Sequence, residues 1–188
     1  GHEFAKDGYA INIVFKTDKD SEQINLRNSL HFKWGSWNIN EGDEAKDITL
    51  NGDNKAAWAI NINHYIHRAP NQRTNVSINQ INVANFRNTD TGWYEGTIKN
   101  YSGSLTWRNS IFKNNTSTSG VVNSKSTKSH ISLENIQFKD NTMLGGAKDA
   151  NKITDENKLI VINDTAAKIE TTNIDMAPDA TLIEAQSK

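Results

Sequence analysis

The chain is 188 residues long, carries a formal net charge of −1 and contains no cysteine. This length suits one domain, and the lack of cysteine excludes a disulfide framework and any site with thiolate ligands. No stretch approaches the roughly 20 apolar residues of a membrane-spanning helix, so we expect no membrane insertion. Residues 1–4 resemble the remnant of an expression tag. We expect residues 5–188 to form a single domain that could belong to a longer protein.

The composition favours strands joined by tight corners. The chain contains 26 Asn, 20 Ile, 16 Thr and 14 Ser residues. Ile and Thr favour strands, whereas Asn and Ser compete with helical hydrogen bonds and favour turns. The sequence therefore predicts an all-β protein with many short strands, and a helical fold is not expected.

In chain order, the pattern predicts a cap strand within residues 5–23, six coils, and a partial coil from residue 180. The six coils begin with apolar-x-apolar runs at residues 24, 48, 76, 105, 131 and 159, which are spaced 24 to 29 residues apart. An amide side chain follows four residues after five of these starts, at Asn28, Gln80, Asn109, Asn135 and Asn163.

A period-two run followed by a fixed corner is what one coil of a β-solenoid requires. The amides would then stack above one another in a structural ladder, with ligand binding as the alternative role. A β-sandwich remains a competing fold, although it needs no constant spacing. The pattern therefore favours a β-solenoid of about six to seven coils.

Two coils carry a longer consensus, LxWxNSIFxNNT at 105–116 and IxLENIQFxDNT at 131–142, followed by LIVINDTA at 159–166 and AKIETTNID at 167–175. Over residues 45–185 this pattern resembles the pectate-lyase-like adhesive domains of Gram-positive surface proteins, including the binding regions of serine-rich-repeat adhesins of lactobacilli. The resemblance implies a right-handed parallel β-helix that binds host or plant glycans without turnover. It also implies a secreted protein attached to the bacterial cell wall through regions outside this chain. We expect no cofactor.

Catalytic signatures of related pectin-degrading enzymes are incomplete. The segment 88–90 matches the Asn-Thr-Asp motif of polygalacturonases, but their other three motifs and the motifs of pectin lyases are missing. Only Asp90 and Glu95 supply carboxylates between residues 61 and 133, and two carboxylates around a glycine turn are typical of a solvated loop. We therefore expect no catalytic residues and no enzymatic activity.

Positive charge is concentrated in the middle of the chain. Residues 1–60, 61–133 and 134–188 carry net charges of −3, +6 and −4. In a solenoid, the middle block would form a basic belt that attracts an anionic chain, less strongly at high salt. The candidate anion-binding residues are Arg68, Arg73, Arg87, Lys99, Lys113, Lys125 and Lys128.

Aromatic residues in the same block supply candidate sugar platforms. Trp93 and Tyr94 lie between Gly92 and Gly96, outside any apolar-x-apolar run, so at least one ring should project from a loop. An exposed ring can stack on the apolar face of a sugar, although loop aromatics also cover the ends of cores. Trp107 lies on an inward stripe, and we expect it in the core.

Histidines in the block predict a pH effect on binding. His64, His67 and His130 titrate near an unperturbed pKa of about 6.5, so anion binding should tighten as the pH falls towards about 5. The first two are three residues apart, but no helix is predicted there and no third ligand is evident, so we expect no metal site.

The leading hypothesis from the sequence is a non-catalytic surface adhesin module that binds acidic polysaccharide, such as pectin-type uronates or sialylated or sulfated host glycans. One alternative is a lyase or hydrolase acting on pectin. Another is a structural or self-associating segment of a stalk or biofilm adhesin. No motif for specific nucleic-acid binding accompanies the basic block.

Overall fold

A computed structural model of the protein describes residues 2–6, 8–63, 74–89, 96–118, 120–124, 128–143, 159–163, 168–178 and 180–185. Its elements in chain order are α1 (His2–Lys6), β1 (Ile11–Ile13), β2 (Ser21–Asn25), β3 (Leu30–Lys33), β4 (Ser36–Ile39), β5 (Asp47–Asn51), β6 (Ile60–Asn63), β7 (Asn75–Asn79), β8 (Ile81–Ala84), β9 (Ile98–Asn100), β10 (Ser104–Lys113), β11 (Thr116–Ser117), β12 (Val122–Ser124), β13 (His130–Lys139), β14 (Thr142–Met143), β15 (Leu159–Asn163), β16 (Lys168–Asp175) and β17 (Thr181–Ala185).

The strands form parallel sheets, which confirms the predicted all-β class. Within the described ranges, a nine-stranded sheet follows the order β1-β4-β7-β10-β8-β5-β2, with β13 paired to β10 and β16 paired to β13. A six-stranded sheet follows the order β17-β15-β12-β9-β6-β3, and β11 pairs with β14. Each strand pair of these sheets is parallel. Neighbouring strands are therefore joined by long connections and not by hairpins.

Amide residues bend the nine-stranded sheet at one corner. The first half of β10 pairs with β7 and its second half with β8, so β7 and β8 are two halves of one bent strand. Gln80, Asn109 and Asn135 occupy this corner with φ angles of 57°, 54° and 53°. This left-handed region is costly for most side chains, and Asn tolerates it better than most. The amides predicted at this register thus have a backbone role.

A hydrogen-bonded amide ladder runs along the corner. The Nδ2 atom of Asn109 donates to Oδ1 of Asn79 at 2.8 Å, and that of Asn135 donates to Oδ1 of Asn109 at 2.8 Å. Asn173 extends the ladder, because its Nδ2 atom donates to Oδ1 of Asn135 at 3.0 Å. The structural role predicted for this amide column is confirmed at its centre.

The predicted register is wrong at both ends of the chain. Asn28 lies in a bend after β2, and Asn163 ends β15 in the six-stranded sheet, where it pairs with Ser124. The register partner of Asn135 is Asn173, because β16 pairs with β13. The 28-residue spacing between positions 131 and 159 therefore led to the alignment of two strands, β13 and β15, that belong to different sheets.

The core lies between the sheets and holds the inward stripes. Trp107 is completely buried, and its ring meets that of Phe112 edge-to-face at 4.9 Å. Its Nε1 atom donates to the carbonyl of Ile81 at 3.0 Å and to Oγ of Ser110 at 2.9 Å. The prediction that Trp107 belongs to the core is confirmed.

Helix α1 packs on the N-terminal aromatic residues. Ala5 is completely buried, and a Cβ atom at Gly35 would lie only 2.4 Å from the Ala5 carbonyl oxygen. Trp37 is 5% exposed and contacts Phe32 edge-to-face at 5.3 Å. The tag-like residues 2–4 thus belong to a helix that contacts the folded domain.

Candidate functional site

Four residues from four different strands form one row across the six-stranded sheet. His31 pairs with Asn61, Asn61 with Lys99, and Lys99 with Asn123. Asn61, Lys99 and Asn123 each lie between two buried residues of their own strand. Because side chains alternate between the two faces of a strand, these row residues point away from the core; His31, Asn61 and Lys99 are at least partly exposed, whereas Asn123 is covered and only 1% exposed. We call this set the Lys99 row.

Positive groups converge at one end of the row. Partial desolvation of the His31 ring lowers its pKa, and the neighbouring Lys33, His2 and Lys99 lower it further. The Nε2 atom of this ring is 2.9 Å from Oγ of Ser29. Burial is the largest cause of this shift, and the positive neighbours Lys33, His2 and Lys99 add to it and would attract an anionic group.

An exposed aromatic ring lies beside the central lysine. The Nζ atom of Lys99 is 5.7 Å from the centroid of the Tyr101 ring, and Tyr101 is 42% exposed. A phenol ring of this exposure can stack on the apolar face of a sugar while its hydroxyl group stays in water. Tyr101 therefore offers the kind of platform that the sequence assigned to Trp93 and Tyr94.

Two unsatisfied acceptors flank Lys99 in the row. Within the described residues, the Oδ1 atoms of Asn61 and Asn123 are buried and accept no hydrogen bond. Asn123 as a whole is 1% exposed, so its side chain is enclosed by the protein, whereas Asn61 is partly exposed. The backbone is also close here, because a Cβ atom at Gly96 would lie 2.9 Å from that of Asn123.

The other predicted residues that the structure describes do not join the Lys99 row. Lys113 lies on β10 in the nine-stranded sheet, where its register partner is Lys139. Arg87 forms an isolated parallel bridge with Thr116. Lys128 and His130 lie in the turn before β13 and at the first residue of that strand. The basic residues of the middle block are thus divided between at least two sheets.

Seven predicted site residues lie outside the described residues, and their assignments stay predictions: Arg68, Arg73, Lys125, Trp93, Tyr94, His64 and His67. The carboxylates considered for catalysis, Asp90 and Glu95, also lie outside them. Within the described ranges, no group of three or more His, Asp or Glu residues could hold a metal ion. No helix in those ranges is long and apolar enough to cross a membrane.

Sequence reasoning missed His31 as a site residue. His31 belongs to the acidic N-terminal block, and it comes close to Lys99 only because β3, β6 and β9 are neighbours in one sheet. The row residues are 30, 38 and 24 positions apart in the chain, so no regular spacing indicated their proximity.

No protein-family model, curated protein or solved structure matches the chain. The argument for function therefore depends on the geometry of the site.

Proposed function

We propose that this protein is a non-catalytic adhesin domain of a bacterial cell surface that binds acidic polysaccharide through the Lys99 row. The observation that carries the proposal is the convergence of His31, Lys33 and Lys99 on one face of the six-stranded sheet, beside the exposed ring of Tyr101. The resemblance of residues 45–185 to Gram-positive adhesive domains supports a secreted protein attached to the cell wall.

The proposed fold is a right-handed parallel β-helix of six to seven coils. Two features support it: the six-stranded sheet takes β3, β6, β9, β12, β15 and β17 in chain order, and the corner amides recur in successive strands of the other sheet. In such a fold, neighbouring coils are about 4.8 Å apart, so the Lys99 row spans roughly 14 Å along the axis. A saccharide chain parallel to the axis would contact several coils at once.

Residues of the Lys99 row and the neighbouring Tyr101 would each recognise a different part of a uronate chain. The Lys99 ammonium group pairs with a carboxylate, and the Tyr101 ring packs against the apolar face of a sugar. Charge attracts the chain, and the partly exposed Asn61 side chain next to Lys99 offers an amide group to the hydroxyls of the sugar.

Binding by this row should tighten as the pH falls. A bound carboxylate offsets the positive field of Lys33, Lys99 and His2, so it raises the pKa of His31 towards or above its ordinary value. Because the ligand favours the protonated imidazole of His31, binding is accompanied by proton uptake. The affinity therefore increases as the pH falls towards the pKa that His31 has in the unbound protein. This assigns to His31 part of the pH effect predicted for His64, His67 and His130.

Calorimetric titration with polygalacturonate tests the proposal. At pH 6 and low salt, Lys99→Gln should weaken binding about tenfold, which corresponds to about 1.4 kcal/mol and is the low end for a charge-assisted hydrogen bond. Lys139→Gln is the matched control, since it removes the same charge from an exposed position in the nine-stranded sheet. Fully methyl-esterified polygalacturonate is the uncharged control ligand.

Equal losses in the two variants would contradict the assignment to the Lys99 row and favour a diffuse attraction to the whole positive surface. Equal affinity for the esterified ligand would contradict the recognition of carboxylates.

A further inference from the structure

The bend of the nine-stranded sheet forms a polar groove with a volume of about 700 Å³. One side is lined by the ladder residues Asn109, Asn135 and Asn173. The other side carries Ile111 and Gln137, which are register partners on β10 and β13. Because the groove crosses strands of the nine-stranded sheet, it is separate from the Lys99 row.

Among the described residues, the ladder amides Asn109, Asn135 and Asn173 together use less than half of their hydrogen-bonding capacity. A side-chain amide has two N–H donors and two acceptor lone pairs. Asn109 and Asn135 each use one N–H and one lone pair in the ladder, and Asn173 uses one N–H. All three side chains are exposed, so the remaining donors and acceptors can reach a ligand.

Hydrogen bonds within the protein limit the site to one part of the groove. The Nδ2 atom of Asn82 donates to Oδ1 of Asp47 at 3.0 Å and to Oγ1 of Thr49 at 3.3 Å. Its Oδ1 atom accepts from the backbone N–H of Ile111 at 2.8 Å. Apart from Gln80, at the corner between β7 and β8, the lining amide groups still able to bind a ligand lie over β10, β13 and β16, a span of about 10 Å.

The groove wall also offers an apolar contact. The Ile111 side chain is 39% exposed, although its neighbours Ser110 and Phe112 are nearly or completely buried. An apolar group beside amide donors and acceptors matches the two kinds of surface on a sugar ring, which has an apolar face and a rim of hydroxyls. A sugar ring packed on the exposed part of Ile111 would remove apolar surface from water, which favours binding.

The charges that line the groove disfavour an acidic ligand. Asp47 and Asp175 line it, and its lining in the described part of the chain includes no lysine or arginine; Lys113 and Lys139 lie two residues further along β10 and β13, outside the lining. A polyanion would meet like charge here, which disfavours binding, whereas an uncharged chain would meet no repulsion. The two surfaces of the protein thus differ in the sign of the charge that they present.

We propose that this groove binds an uncharged, hydroxyl-rich saccharide chain that lies across β10, β13 and β16. The site is independent of the Lys99 row, so the domain has one surface for acidic and one for neutral polysaccharide. A protein with both could attach to a composite material in which the two kinds of polymer lie side by side.

The test is a titration with cellohexaose, a neutral linear oligosaccharide, followed by calorimetry and by amide NMR. Saturable binding is expected, and Ile111→Thr should weaken it at least fivefold because the apolar contact becomes smaller. Threonine is chosen because it still favours strands. Thr106→Ala is the control, since Thr106 lies on the same strand but outside the groove. Thermal unfolding of both variants checks that the fold is retained.

Gln137→Leu provides a second variant, and it should weaken binding by removing a donor and an acceptor. Lys99→Gln should leave cellohexaose binding unchanged, which separates this proposal from the one for the acidic ligand. Absence of saturable binding to the native protein, or equal affinities of the native protein and Ile111→Thr, would overturn the proposal. Loss of binding in Lys99→Gln, or equally tight binding of hexagalacturonate at the groove, would overturn it as well.

Discussion

Replacement of Asn135 at the sheet corner separates the backbone role of the ladder from its hydrogen bonds. Asn135 has a φ angle of 53° and makes two ladder hydrogen bonds, with Asn109 and with Asn173. Asn135→Ala removes both bonds and places a Cβ-bearing residue without a polar side chain in the left-handed region. Asn135→Gly removes the same bonds, but glycine adopts this region freely.

The magnitudes follow from these two contributions. Two exposed hydrogen bonds at the low end of the usual range contribute about 1 kcal/mol in total to the free energy of unfolding. The left-handed conformation costs alanine a further 1–2 kcal/mol, roughly. We therefore expect Asn135→Ala to lose about 2–3 kcal/mol. Asn135→Gly should lower the free energy of unfolding by about 1 kcal/mol less than the alanine variant does. Glycine adopts the left-handed conformation without strain, but it also gives the unfolded chain more conformational freedom, which offsets part of that advantage.

Urea unfolding followed by tryptophan fluorescence measures these losses, provided that the transition is two-state. Glu134→Ala is the control, because Glu134 directly precedes Asn135 and its side chain is exposed. This substitution should change the free energy of unfolding by less than about 0.5 kcal/mol. If the alanine variant were as stable as the glycine variant, the backbone at residue 135 would not be left-handed, and the corner described here would be wrong.

Three further predictions concern the core, an ion pair and catalysis. Trp107→Ala should lower the free energy of unfolding by about 3–5 kcal/mol, as for other buried aromatic residues, and a loss below about 1 kcal/mol would contradict its place in the core. Arg108→Gln should lower it by about 1 kcal/mol at low salt, because Nη2 of Arg108 donates to both carboxylate oxygens of the half-buried Glu41, at 2.5 and 2.6 Å; an unchanged urea midpoint would contradict this. Prolonged incubation with polygalacturonate should release neither unsaturated products nor new reducing ends, and the appearance of either would contradict a non-catalytic protein.

The local features of the fold were predictable from the sequence, whereas the pairing at the ends of the chain was not. Alternation of apolar residues indicated the inward position of Trp107, and the recurring amides indicated the corner at Gln80, Asn109 and Asn135. Both signals depend on residues that are close together in the chain. The alignment of Asn163 with this corner failed because a similar spacing also joins strands of different sheets.

The site was only partly predictable for the same physical reason. Lys99 was identified by the excess of positive charge in its block. His31, in contrast, reaches Lys99 through the pairing of β3 with β6 and of β6 with β9, across 30 and 38 residues. Net charge along a sequence does not report which residues share a sheet face, and it did not separate Lys99 from Lys113.

The most direct measurement of the proposed function is an NMR titration of the His31 imidazole, assigned with a His31→Gln variant, in the presence and absence of polygalacturonate. In the free protein, the pKa of His31 should lie below its ordinary value of about 6.5, and Lys99→Gln should raise it by removing a positive neighbour. Saturation with polygalacturonate should raise the pKa of His31 in the native protein. A pKa that stays the same or falls on saturation would show that the bound carboxylates do not face the Lys99 row.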